Sequence, residues 1–247
     1  QLSPAREAIK NQMITLQAID QPNAPEEQGR ISSRAWKVIK GGIAIGPVLV
    51  QVPMRGYVQS LSCRTCRNKA LCSCGGKLYL PAKERQPECS LCRNIFHSWI
   101  CQYCSSTQLY LAQVGDIKVL EELGRAFPNQ AILSSNADHR INSIPNQPLL
   151  VIATPGAEPI AAEGYSAVVV LNSALLLDRA SLDAEEVARR RWFALATLIK
   201  PQGTFFIDAD LRNRNIQALL RWDSFGVSMK ELEERENLSL PPAVKAL

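Results

Sequence analysis

All eight cysteines of this 247-residue chain fall between Cys63 and Cys104. They form four close pairs, Cys63/Cys66, Cys72/Cys74, Cys89/Cys92 and Cys101/Cys104, spaced C-x2-C, C-x-C, C-x2-C and C-x2-C. Two thiolates so close in sequence, joined by a tight turn, can both reach one tetrahedral Zn2+ at about 2.3 Å. Four pairs therefore supply two four-cysteine sites and call for two Zn2+ ions. A disulfide framework is the competing reading, but adjacent C-x2-C pairs suit metal or redox chemistry, and no secretory leader precedes them. Thioredoxin-like redox chemistry would need only one such pair. The pairs can combine in three ways: first with second and third with fourth, first with third and second with fourth, or nested. Spacing excludes none of them. Nesting is geometrically simple, because it returns the chain close to where it left. The C-x-C pair is tight, and Gly75 and Gly76 behind it give the backbone freedom to compensate; a strained or labile second site is the alternative.

The rest of the chain reads as an α/β domain interrupted by this module. Val48–Val52, bounded by Gly46-Pro47 and Pro53, is a buried strand, and Met54–Tyr57 a turn leaving it. Leu149–Ala153, Ser166–Leu171 and Gly203–Ile207 are further apolar strands, with a shorter one at Ala131–Leu133. Helical periodicity marks Gly115–Phe127, a segment starting at Ser181 or Asp183 and running to Ile199, Leu211–Trp222, and Met229–Glu236. Ser32 or Ser33 caps a short helix that Gly41-Gly42 ends after Lys40. Pro4–Ile19 reads as a helix, followed by a Pro- and Gly-bearing linker, and residues 136–148 as a polar loop. Continuously apolar strands alternating with helices imply a parallel sheet covered on both faces. The expected domains are 1–30, a linker at the end of a preceding region; 31–62 and 105–222, one α/β domain; 63–104, the zinc module; and 223–247, the start of a C-terminal region. Zinc supplies the module's folding free energy, about 10–16 kcal/mol in small peptides, so the insertion need not share its host's core.

Net charge is +5 and the pI about 8.8, which permits nucleic-acid binding without diagnosing it. No apolar run reaches the eighteen or so residues that span a bilayer. The chain begins at Gln1 without a basic-then-apolar leader. A cytoplasmic monomer with reduced thiols is expected. Seven Lys and Arg lie in the module against Glu84 and Glu88; two four-thiolate zinc sites would reduce that excess to about +1. Tyr79, Phe96, Trp99, Tyr103 and Tyr110 are interleaved with the cysteines. They read first as packing around the metal, and second as platforms for single-stranded bases. Arg55, Arg64, Arg67 and Lys69, basic and near the module's entry, are the candidate DNA contacts. His97, the sole histidine in the module, could replace a cysteine ligand, but eight cysteines already fill two sites; His139, in a polar loop, is expected to be exposed.

The order of these features resembles the PriA family of primosomal replication-restart proteins. VLVQVPMRGYVQSLSC is similar to that family's approach to its zinc module, where RGY or RGF precedes the first cysteine. VGDIKVLEELGRAFPNQAILSS, LLVIATPGAEPIA, AEEVARRRW and LSLPP resemble segments that follow in the same order, so the resemblance covers about residues 31–247. It implies a RecA-like second helicase lobe. It also implies the nested ligand sets, Cys63, Cys66, Cys101 and Cys104 on one zinc, and Cys72, Cys74, Cys89 and Cys92 on the other. There are departures. The second pair is C-x-C where the family has C-x2-C. The lobe-two GRAGR arginine-finger segment, which places positive charge on the transferred phosphoryl, is replaced by RWFALATLIKPQG. ATPGAEP replaces the strand-end GT-Q motif, and no G-x4-G-K-[ST] loop occurs. The pattern resembles the actinobacterial branch, whose members look like degenerate helicases. It implies a zinc- and DNA-binding restart protein that recognises stalled forks and recruits primosome and helicase-loading proteins without unwinding and without a catalytic residue in this chain. The alternative is an ATP-dependent 3′-to-5′ helicase whose other lobe lies outside the chain.

Overall fold

The computed structural model describes residues 15–19, 31–52, 61–66, 68–81, 86–111, 116–177 and 183–240. Its centre is a six-stranded parallel sheet in the order β1 (Thr15–Ile19), β12 (Ile199–Asp208), β11 (Tyr165–Val170), β2 (Val48–Gln51), β9 (Leu150–Ala153), β7 (Ile132–Ser135). Strands β2, β9 and β11 are buried at every position, and nearly all of their residues are apolar, because both faces are covered. Leu49, Val151, Val168, Val170, Phe205 and Ile207 point to one face. They pack there against Ala188, Trp192 and Leu195 of α4 (Ala184–Ala196) and Ile216 and Leu219 of α5 (Arg214–Arg221). Val48, Val50, Leu150, Ile152, Ala167, Val169 and Phe206 point to the other. They meet Ala35, Ile39 and Ile43 of α1 (Ser33–Ile43) and Val119 and Leu123 of α2 (Asp116–Ala126). Short α3 (Ala174–Leu177) and long α6 (Ser224–Asn237) complete the helices of the described residues. The α/β class with a parallel sheet is therefore as the sequence implies.

Three local expectations are corrected. Thr15–Ile19 is not helical: it pairs in parallel with Thr204–Asp208 at the sheet edge. Its partner lies nearly two hundred residues away, so local periodicity carries no trace of it. Helix α1 does not stop at Lys40 but runs through Gly41 and Gly42. Gly42 is a contact glycine, not a cap: a Cβ there would lie 2.7 Å from Val48 Cγ2 and 2.8 Å from Ala167 Cβ. Its missing side chain lets the helix lie directly on the sheet. Ser32 is the N-cap, its hydroxyl accepting from the Ala35 N–H at 3.2 Å. The polar stretch 136–148 contains a short strand, β8 (Ser143–Ile144), paired in parallel with β10 (Ile160–Ala161). The expected turn at Met54–Tyr57, the Ser181 helix start and residues 1–14 lie outside the described residues.

Between β2 and α2 the chain leaves the sheet. It does so through an antiparallel stem, β3 (Leu61–Cys63) with β6 (Leu109–Leu111), which encloses a smaller hairpin, β4 (Leu78–Tyr79) with β5 (Glu88–Cys89). Leu61, Ala70, Leu78 and Trp99 join four buried cysteines in a third small core, with Leu109, Leu80, Phe96 and Cys66 packed against it. No helix among the described residues is long and apolar enough to cross a membrane.

Candidate metal centres

Each described cysteine pair sits in the same local turn. The first cysteine's N–H donates to the carbonyl five residues on: Cys63 to Asn68 at 2.8 Å, Cys89 to Asn94 at 2.9 Å, Cys101 to Ser106 at 2.9 Å. The residue after the second cysteine returns its N–H to the first cysteine's carbonyl. Arg93 does so to Cys89 at 3.1 Å and Ser105 to Cys101 at 2.9 Å, and both are left-handed, with φ of 62° and 57°. This turn folds the second sulfur back beside the first. The C-x-C pair makes the turn with one residue fewer: Cys72 N–H reaches Gly76 O, four residues on, at 2.8 Å, and Gly75, with φ of 82°, donates to Cys72 O at 2.9 Å. Gly75 takes a left-handed conformation freely, so the shortened turn still closes. Gly76 has a steric role: a Cβ there would run into Cys89 Sγ and stand 3.1 Å from Leu91 Cβ. Gly76→Ala is thus expected to displace Cys89 and weaken the second centre alone; wild-type metal affinity at both centres in a competitive chelator titration would refute this.

The turns bring the cysteines into two groups, Cys63, Cys66, Cys101 and Cys104, and Cys72, Cys74, Cys89 and Cys92, with the four sulfurs of each within 4.8 Å of one another. Of the three combinations that spacing left open, the geometry is the nested one. Closest sulfur contacts are 3.5 Å (Cys63–Cys104), 3.5 Å (Cys66–Cys101), 3.7 Å (Cys72–Cys92) and 3.5 Å (Cys74–Cys89). A disulfide needs about 2.05 Å; sulfurs around a tetrahedral zinc stand about 3.8 Å apart. Either group could therefore hold a metal ion, and an all-sulfur donor set suits zinc. With four protein ligands such an ion has no open position, so its chemistry would be structural.

The electrostatics fit the same purpose. The Cys66 backbone N–H, chiefly, brings the Cys63 thiol down to about 6, and the Cys74 backbone N–H does the same for Cys72. Cys92 and Cys104 go the other way. Backbone N–H bonds from Asn94 and Ser106 favour their thiolates, but the neighbouring sulfurs together with burial outweigh this and push both up to about 12. Four thiolates repel one another, and a bound divalent cation inverts that balance. Further N–H groups face the sulfurs: Leu91 N on Cys89 at 3.4 Å, Tyr103 N on Cys101 at 3.5 Å and Asn68 Nδ2 on Cys66 at 3.4 Å. Asn68, Asn94 and Ser106 are the site residues that sequence reasoning passed over. Their signal was a constant offset from the first cysteine of each C-x2-C pair.

The aromatics divide. Trp99 is buried with its Nε1–H on Leu71 O at 3.1 Å, and Tyr79 is buried with its hydroxyl accepting from Arg93 at 2.6 Å. Tyr103 and Tyr110 are exposed. His97 and His139 are exposed and belong to neither sulfur group. Arg64 and Lys69 lie on the module's surface, while Arg55 and Arg67 fall outside the described residues.

No protein-family model matches the chain. Among curated proteins it is 40% identical over 221 residues to the probable replication restart protein PriA of Mycobacterium tuberculosis strain H37Rv, covering 87% of this chain and 34% of that protein. It is 35% identical over 252 residues to the protein of the same name from Mycobacterium leprae, covering 97% of this chain and 39% of that one. The chain thus spans little more than a third of the length of the curated relatives it matches.

Proposed function

Since this chain belongs to the PriA family over the stretch it shares with it, we propose that it is a zinc-stabilised, DNA-binding segment of a replication restart protein. In this reading it recognises stalled forks and recruits primosome and helicase-loading proteins without itself unwinding DNA. Residues 31–62 and 105–222 form a RecA-like second lobe, residues 63–104 the zinc module, residues 1–30 the end of a preceding region and residues 223–247 the start of a C-terminal region. Cys63, Cys66, Cys101 and Cys104 ligate one zinc, and Cys72, Cys74, Cys89 and Cys92 the other. Arg64 and Lys69, with Arg55 and Arg67, contact DNA near the module's entry.

The observation that carries this reading is the pair of nested sulfur tetrads on a stem that splits a parallel α/β domain. Two details favour recognition over ATP-driven unwinding. At the carboxyl end of the sheet, where such folds take ligands, the ATPGAEP turn is occupied by the chain's own carboxylate. Glu158 accepts the Gly156 N–H at 2.9 and 3.0 Å and the Nε2 of buried Gln51 at 2.6 Å. On helix α4, Arg189 is buried against Glu231 at 2.7 Å, so its guanidinium is committed within the fold and not offered to a phosphate.

Binding of forked and single-stranded DNA, followed by anisotropy between 50 and 200 mM salt, tests the reading. Affinity should fall steeply, because each neutralised phosphate releases counterions. Absent or salt-insensitive binding would remove direct DNA contact and leave protein recruitment. DNA-stimulated ATP hydrolysis by the longer protein, with this segment required, would favour the helicase alternative.

A further inference from the structure

The charge of this chain is strongly segregated. Between Gln28 and Lys83 there are ten Lys and Arg and no Asp or Glu; the other 191 residues hold 18 Lys and Arg against 23 Asp and Glu. The net +5 thus conceals a basic segment on an acidic remainder. Part of that segment is helix α1, which the fold lays on one face of the sheet.

Helix α1 buries Ala35, Ile39, Gly42 and Ile43. At 3.6 residues per turn, Arg34, Lys37 and Lys40 then fall on the opposite side, within an arc of about 120°. All three are exposed. The other residues on that arc are Ser33, Gly41 and Ala44, also exposed and all small. A Cβ on Gly41 would meet nothing within 4 Å. The face is therefore cationic, shallow and open. Of its three cations only Lys40, in the last turn, suits the helix dipole. A first turn is stabilised by acidic groups, and α1 has none there, carrying Arg34 instead. Among the described residues no ion pair involves any of the three cations.

We propose that this outer face of α1 is a nucleic-acid backbone contact, with Arg34, Lys37 and Lys40 each neutralising a phosphate. Three cations on one shallow, open helix face suit the phosphates of a nucleic-acid backbone, and phosphate contacts position a protein without carrying sequence information directly. The inference rests on the DNA-binding reading above and adds to it a surface outside the cysteine module.

The test is the salt dependence of single-stranded and forked DNA binding by the chain, for wild type, R34Q/K37Q/K40Q, and a control triple from the acidic remainder, R140Q/R190Q/K230Q. Neutralising α1 should reduce the slope of log K against log salt by about 2 to 3, since each lost contact removes roughly 0.7 on single strands and 0.9 on duplex. The control should leave the slope within about 0.5 of wild type. Zinc content and the thermal transition of both triples should match wild type, all six residues being exposed. If wild type binds with a steep slope and the α1 triple keeps it, the α1 contact is refuted and the DNA reading stands. If wild type does not bind, both fall. Equal losses in the two triples would show general charge attraction and would also overturn the α1 site.

Discussion

Removing one sulfur from either tetrad is expected to cost one zinc ion, and excess chelator should melt the cysteine module while the α/β sheet stays folded. Wild type should carry two zinc ions per chain by elemental analysis, and Cys101→Ser or Cys74→Ser about one. The reason is the composition of the module's core. Four of its eight fully buried members are the cysteines Cys63, Cys72, Cys89 and Cys101, and beside them stand only Leu61, Ala70, Leu78 and Trp99. So small an apolar set cannot offset backbone ordering of about 1–2 kcal/mol per residue, whereas a structural zinc contributes on the order of 10–16 kcal/mol. The two variants should differ in where order is lost. Cys74→Ser opens the inner hairpin, and the stem β3–β6 should keep its amide protection. Cys101→Ser loosens the stem itself. Two ions retained in either variant would sink the ligand assignment, and one ion in wild type would mean that the shortened C-x-C turn does not bind.

Glu231→Ala should destabilise the α/β domain by about 3–5 kcal/mol, lowering the thermal midpoint by on the order of 10 °C. Glu231, 7% exposed, joins Arg189 of α4, 6% exposed, at 2.7 Å and Arg235 of its own helix at 2.6 Å. Arg189 also donates to Asn215 of α5 at 2.9 Å, and Arg214 ties Glu185 of α4, at 2.8 Å, to Glu234 of α6. Truncating Glu231 leaves the Arg189 guanidinium buried without its counter-charge, which is why the loss exceeds that of a surface pair. Burial alone would raise the Glu231 carboxyl, but the Arg189 and Arg235 bonds outweigh it and hold the group below its ordinary range. The sign follows. A depressed folded pKa gives stability that is fully present above the unfolded value, near 4.5, and is lost as pH falls through the folded value. Wild type should therefore lose stability more steeply than Glu231→Gln on acidification below that range. Parallel acid profiles, or a loss under about 1 kcal/mol, the scale of a surface pair, would show that the network is incidental.

This network was not legible in the sequence. AEEVARRRW shows three arginines in a row, and nothing local separates buried Arg189 from exposed Arg190. The separation arises because α5 and α6 pack over one side of α4, and the partners they bring to Arg189, Asn215 and Glu231, lie 26 and 42 residues further along the chain. The edge strand Thr15–Ile19 is the same kind of case, since five residues are too few to declare themselves without the β12 edge that pairs them.

What the sequence determined by itself is local or periodic. Continuous apolar runs at Val48–Val52, Leu149–Ala153 and Ser166–Leu171 imply strands buried on both faces, because only such strands have no polar side to show. Cysteines two and three residues apart imply paired sulfurs, because a single turn suffices to bring them together. The same turns demand left-handed residues, which Gly75, Arg93 and Ser105 supply. Tertiary structure alone decided which pair meets which. It placed Cys63 and Cys66 beside Cys101 and Cys104, and left Arg34, Lys37 and Lys40 facing outward while α1 lies on the sheet through Gly42. Those outcomes depend on the stem that closes over some forty residues and on a helix docked against strands from other parts of the chain, and such long-range contacts leave no spacing in the sequence to read.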